Sequence, residues 1–151
     1  MLNYFLVSIL SFSGMFFGKI LRKLAFEELN QAKKYLVYLQ HLLLFTLAVF
    51  LIYYSNFSIF LLAFFILGFI FSFFFRKRYF YLGLILAASF FNQSLLILSS
   101  SLIFIYGLSF SFLSKGIWTN LLYFIIGIIL AFIFPNNYLI YFAAGSIFLR
   151  Y

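Results

Sequence analysis

The sequence predicts an all-α bundle of about seven (six or seven) membrane-embedded segments, with the N-terminus outside and the C-terminus inside. Three observations lead there. The 151-residue chain is 68% hydrophobic and only 8% charged, whereas soluble domains average roughly 45–50% apolar and about 25% charged. Residues 35–75, 79–114 and 116–149 contain no Asp, Glu, Lys or Arg, and each run exceeds the ~18 apolar residues that mark a membrane span. All ten basic residues sit between or beside apolar runs, where topology-setting charges belong.

That placement also decides what the net charge of +8 means. In a soluble domain it would suggest phosphate neutralisation on nucleic acid; here the bases mark loops, and no nucleic-acid partner is expected. With no cysteine, disulfides and iron–sulfur clusters are excluded. The 27 Phe and 12 Tyr are spread along every apolar run, as lipid-facing positions allow, and do not gather into a stacking platform.

Residues 2–20 read as a retained first helix. A cleaved signal would carry its bases before the apolar core, whereas Lys19, Arg22 and Lys23 follow it. Gly14 and Gly18 form a GxxxG motif, whose flat face suits close helix packing. Residues 19–34 form the one strongly polar stretch. Its Leu21, Ala25, Leu29, Ala32 and Leu36 recur at helical spacing, which predicts a basic amphipathic segment lying flat on the cytoplasmic membrane surface. Five bases against two acids leave it at +3, and each base gains about 1 kcal/mol near anionic headgroups. Lys19, Arg22, Lys23, Glu27, Glu28, Lys33 and Lys34 are the expected contact with a partner or lipid headgroup.

Glu27 and Glu28 are the only carboxylates. Neighbours on a helix point about 100° apart, and no second acidic cluster completes a metal site, so no metal, no cofactor and no catalytic residue is expected. His41 is the sole histidine, too few for zinc held by His and Cys, and reads as structural.

If every basic cluster lies inside, each charge-free run crosses the membrane an even number of times. A straight helix of 36 residues would extend about 54 Å, nearly twice the hydrocarbon core, so each run should fold back as a hairpin. Ser55, Asn56, Phe57 and Ser58 mark the first turn, Asn92 and Gln93 the second, and Pro135, Asn136 and Asn137 the third. The arms 79–91 and 138–149 are short for a bilayer. Either they extend further, the bilayer thins, or the hairpins re-enter. Tyr35, Tyr53, Tyr54, Tyr79, Tyr81, Trp118, Tyr138 and Tyr151 fall near helix ends and read as interfacial anchors.

The chain therefore reads as one transmembrane domain, 1–151. The expected function is that of a non-enzymatic multi-pass protein packing with membrane lipids, another membrane protein or itself, in the plasma or inner membrane or an organelle inner membrane. The runner-up is a small-solute permease or channel in which Asn92, Gln93, Asn136 and Asn137 line a polar cavity, since irregular backbone inside a membrane is tolerated only around one. A third reading makes Glu27 or Glu28 the base of a lipid-headgroup enzyme.

Overall fold

A backbone surrounded by apolar side chains must satisfy its own N–H and C=O groups, and helices do so within one segment. The computed structural model describes residues 2–24, 26–54, 59–113, 116–133 and 136–148. Among them are seven α-helices and no strand: α1 (Leu2–Leu24), α2 (Phe26–Tyr54), α3 (Ile59–Phe74), α4 (Arg78–Ala88), α5 (Gln93–Leu113), α6 (Ile117–Ala131) and α7 (Asn136–Phe148). A 3-10 turn, Ser89–Phe91, prolongs α4.

Of the expected turn residues that are described, Asn92 lies in a helix break, while Gln93 opens α5 and Asn136 and Asn137 open α7. Asn92 adopts extended backbone, and its Oδ1 accepts hydrogen bonds from the N–H groups of Ser94 (3.1 Å) and Leu95 (3.2 Å). It is thus an N-cap for α5. Ser55, Asn56, Phe57, Ser58 and Pro135 lie outside the described residues.

The polar stretch departs from its expected form. The segment 19–34 is not one surface helix: 19–24 complete α1, and α2 begins at Phe26 and runs unbroken to Tyr54. Lys, Leu, Glu and Gln are good helix formers and nothing in 26–54 interrupts them, so the polar stretch joins the apolar helix after it. The helices are unequal in length, as the short arms 79–91 and 138–149 led one to expect. By length and composition Gln31–Tyr54 and Gln93–Ser111 could cross a membrane, while Leu61–Phe74, Arg78–Phe91, Ile117–Ala131 and Tyr138–Ile147 are shorter apolar helices.

Helices that run in the same direction form the tightest pairs. On α1 and α5, Gly14 faces the backbone of Phe104 and Gly18 that of Leu108, and the Ser111 hydroxyl donates to the Met15 carbonyl at 2.6 Å. On α3 and α7, Gly68 abuts Phe142 and Gly145 abuts Phe65, while the ring pairs Phe64–Tyr138 and Phe71–Phe142 ascend together. On α4 and α6, Gly83 meets Phe124 and Gly127 meets Phe80; Phe75–Tyr123, Tyr79–Phe124 and Phe90–Phe132 ascend likewise. A Cβ on Gly14, Gly68, Gly83, Gly127 or Gly145 would run into a facing backbone carbonyl. Gly14 and Gly18 are therefore spent on an internal crossing.

α2 packs across α5 and α7, and α4 touches α7. The two short arms are the interior helices. Every residue from Tyr79 to Ser89 is buried, as is most of α7 from Leu139 to Ile147. Their lengths of 11 and 13 residues, about 17 and 20 Å, belong to helices packed against protein. Tyr79 and Tyr81, expected at an interface, are instead core residues at 1% and 2% exposure. Each begins the buried helix, and the Tyr81 hydroxyl donates to the Phe75 carbonyl at 2.8 Å.

Replacing Gly127 by Leu is expected to destabilise the bundle by about 1–3 kcal/mol or more, because the facing atoms are backbone and cannot swing aside. Gly116→Ala meets only the Thr119 hydroxyl and should shift stability far less. Thermal unfolding of the two variants in detergent checks the contrast.

Candidate functional site

The alternating direction of the helices gathers charge. The bases Lys19, Arg22 and Lys23 close α1, and Lys33 and Lys34 lie in the opening turns of α2 directly after it. Because α5 runs parallel to α1, its C-terminal half faces that same end. Arg78 Nη1 donates to the Tyr106 hydroxyl of α5 at 3.3 Å, so Arg76, Lys77 and Arg78 stand at that end too. All eight bases among the described residues therefore share one end of the bundle; Lys115 and Arg150 lie outside the described residues. Lys19, Lys23, Lys33, Lys34, Arg76 and Lys77 are exposed, and Arg22 and Arg78 half-buried. Glu27 and Glu28 fall in the first turn of α2 and Asn136 and Asn137 open α7, but their side chains lie outside the description.

The start of α4 concentrates the chemistry. Its cap residue Lys77 makes no side-chain capping bond, and no acidic residue occupies the first turn, so the exposed backbone N–H groups and the dipole present positive charge. Lys77 Nζ rests 5.1 Å over the Tyr123 ring, a cation–π contact. Tyr79 packs among Tyr106 (5.9 Å), Phe110 (5.2 Å), Phe12 (6.0 Å) and Phe124 (6.5 Å). Its hydroxyl is buried and has no hydrogen-bond partner among the described residues. From Phe12, beside Tyr79, α1 continues twelve residues to Leu24, about 18 Å of helix. α4 thus begins within the bundle, short of the basic tip.

Between α1 and α6 lies a groove of about 510 Å³. Ile9, Phe12 and Phe16 form one wall and Phe124, Ile125 and Ile128 the other, with the hydroxyls of Ser8 and Ser13 at its edge. The Ser13 hydroxyl donates a hydrogen bond to the Leu10 carbonyl at 2.7 Å, so the lining is effectively apolar. Phe12 and Phe124, which wall the groove, are the residues that hold Tyr79.

The remaining polar side chains are mostly engaged locally. Asn92 caps α5, and Gln93 is exposed at its first position. Ser99, Ser100 and Ser101 donate to carbonyls of Leu96 and Ile97 in the preceding turn, the usual habit of serine in apolar helices. His41 Nδ1 lies 2.7 Å from the Val37 carbonyl of its own helix. Gln40 is buried with its Nε2 unpartnered among the described residues.

Sequence reasoning recognised the bases of 76–78 as a topology marker but not the cluster of Arg78, Tyr79 and Tyr106. The available signal was Arg78 adjoining Tyr79 at the head of an unusually short arm. Tyr106, 28 positions from Arg78, carries no sequence mark.

Tyr106→Phe is expected to remove the Arg78 bond and lower stability by about 1 kcal/mol, the discounted worth of a charged hydrogen bond to a half-exposed group. Asn92→Ala should cost about 1 kcal/mol through loss of the cap. Denaturation midpoints in matched micelles read both.

No family model matches the chain, and neither a curated protein nor a solved structure does.

Proposed function

We propose that this chain is a non-enzymatic multi-pass membrane protein, N-terminus outside and basic end cytoplasmic, that works by packing with lipid or a membrane-protein partner. The observation that carries it is the pairing of a one-ended charge distribution with an apolar exterior. Large exposed side chains such as Leu10 and Phe17 on α1, Leu42 on α2, Leu67 on α3 and Leu122 on α6 cover the flanks. Soluble monomers rarely expose contiguous apolar patches above a few hundred Å², and basic residues favour the cytoplasmic side. Tyr53, Trp118 and Tyr138 are exposed near helix ends, where amphipathic rings suit headgroups.

The helical extension formed by 19–24 and 26–34 offers the cytoplasmic contact, carrying Lys19, Arg22, Lys23, Lys33 and Lys34. The permease reading draws no support from Asn92, whose side-chain oxygen is occupied in capping.

The absence of native cysteine makes topology directly testable. A single cysteine at Lys33 or Lys77 is expected to react with an impermeant maleimide only from the cytoplasmic side, and one at Asn92 only from the opposite side or not at all. Labelling of Lys33 and Asn92 from one side overturns the reading. Reversing Arg22, Lys23, Lys33 and Lys34 to Glu should strip co-purified lipid or partner; unchanged retention and unchanged function in cells would remove the role given to this segment.

A further inference from the structure

We infer that the junction of α1 and α2, residues 19–39, is a docking surface for the anionic lipid headgroups of the cytoplasmic leaflet. This rests on the membrane reading above and names the partner of its cytoplasmic contact.

The first observation is where burial stops. Gly18 packs on the backbone of Leu108 and Gln40 is 3% exposed, yet between them no described residue in 19–24 or 31–39 is buried. Both helices continue through these stretches, for about 9 Å along α1 and, from Phe26 to Leu39, about 21 Å along α2. Their backbones are satisfied within each helix, while their described side chains stand outside the core.

The second is the mixed chemistry of that surface. Lys19, Lys23, Lys33 and Lys34 are exposed alongside Leu24, Tyr35 and Tyr38. Ammonium groups on long apolar stems, interspersed with amphipathic rings, match a layer in which phosphates meet the ends of acyl chains. Residues 31, 33, 34, 35, 38 and 39 are all exposed, and at about 100° per residue they point round most of α2. A protein partner applied to one face would leave the others in water, whereas a headgroup layer surrounds the helix.

The third is charge complementarity. Five bases against Glu27 and Glu28 leave residues 19–34 at +3 even when each carboxylate offsets one base. Arg22 and Lys23 complement the C-terminal dipole of α1, and Glu27 and Glu28 the N-terminal dipole of α2. Lys33 and Lys34 serve neither end. Counted from Glu27 and Glu28 they also fall beyond the three- and four-residue spacings at which helix side chains pair. Headgroup phosphates supply the opposite charge. Because both helices run on into the bundle, the junction is held at the membrane surface, and docking costs little translational freedom.

The test uses the full chain in nanodiscs of phosphatidylcholine alone or mixed with phosphatidylglycerol. A single cysteine at Gln31, an exposed and uncharged position, carries an environment-sensitive fluorophore, and the uncharged quencher acrylamide reads its access to water. Phosphatidylglycerol is expected to cut quenching about twofold or more, since each base near anionic headgroups is worth about fivefold in the docking equilibrium. The effect should fade as salt rises toward about 1 M, where the Debye length is near 3 Å. K33Q/K34Q should weaken docking about twenty-five-fold by the same arithmetic and erase the difference between the lipids, while K33R/K34R keeps it. E27Q/E28Q, which leaves the five bases without an acid, should carry the protection to higher salt. Phosphatidylserine should replace phosphatidylglycerol, and soluble glycerol 3-phosphate added to phosphatidylcholine discs should not.

Equal quenching in the two lipids, a difference that survives K33Q/K34Q, or protection by glycerol 3-phosphate would each overturn the proposal. So would the same lipid dependence with the fluorophore at Gln93, which opens α5 and adjoins no base. Cysteine labelling keeps the two readings separate. The expected sidedness without a phosphatidylglycerol effect ends only the docking surface, whereas labelling of Lys33 and Asn92 from one face ends the membrane reading itself.

Discussion

The constraint on which this bundle depends is the approach of helix backbones at glycine. Where helices are apolar on most faces, their choice of partner relies on close packing and on contacts between backbones. Gly68 and Gly145 on α3 and α7, and Gly83 and Gly127 on α4 and α6, meet reciprocally, each resting on the other helix's carbonyl-bearing turn. Gly14 and Gly18 do the same for α1 against α5, where Gly107 completes the surface. All three pairs join helices that run the same way, which sequence neighbours in a hairpin cannot do. Every close pair therefore links helices two or four positions apart in the chain, and the layers are tied across hairpins, not within them.

That pairing explains the lengths. α4 and α7 hold glycine crossings on one side and face each other or α2 and α5 elsewhere, so neither meets the surroundings over much of its surface. A helix enclosed by protein need not match the thickness of a bilayer. Among the described residues, α2 and α5 are the helices that by length and composition could cross a membrane. The head of α4 lies against α5 and α6, with Arg78 half-buried beside Tyr106 and Tyr79 buried against Tyr106 and Phe124.

Helix content and most helix boundaries were legible in the sequence, since they follow from long apolar runs broken by Asn, Ser and Pro. Gly14 and Gly18 were legible as a packing face but their partner helix was not: nothing in the motif names Phe104 or Leu108. Tyr79 and Tyr81 were misread for a related reason. Tyrosine near a basic cluster suits an interface, and only the burial of the whole of α4 turns these two inward. The polar stretch 19–34 has the periodicity of a surface helix, yet its second half is continuous with the apolar helix that follows. Periodicity identifies a face; it does not say where one helix stops. For the site, the bases could be read and the apolar groove could not, because its walls come from segments more than 100 residues apart, Phe12 and Phe124.

The asymmetry of charge and the asymmetry of packing have a common origin. Alternation of the seven described helices puts the start of α1 and the end of α7 on opposite faces, and the eight described basic residues collect on one of them. The same alternation makes α1 and α6 antiparallel, and α1 is committed to α5 by Gly14 and Gly18, while α6 is committed to α4 by Gly127. Each helix has spent its small-residue face elsewhere. What they present to each other is Ile9, Phe12 and Phe16 against Phe124, Ile125 and Ile128, side chains too bulky for a glycine-type approach. A gap between them follows directly, and its lining is effectively apolar apart from Ser8 and Ser13. The groove beside the charged head of α4 is thus a consequence of how the three glycine crossings divide the helices.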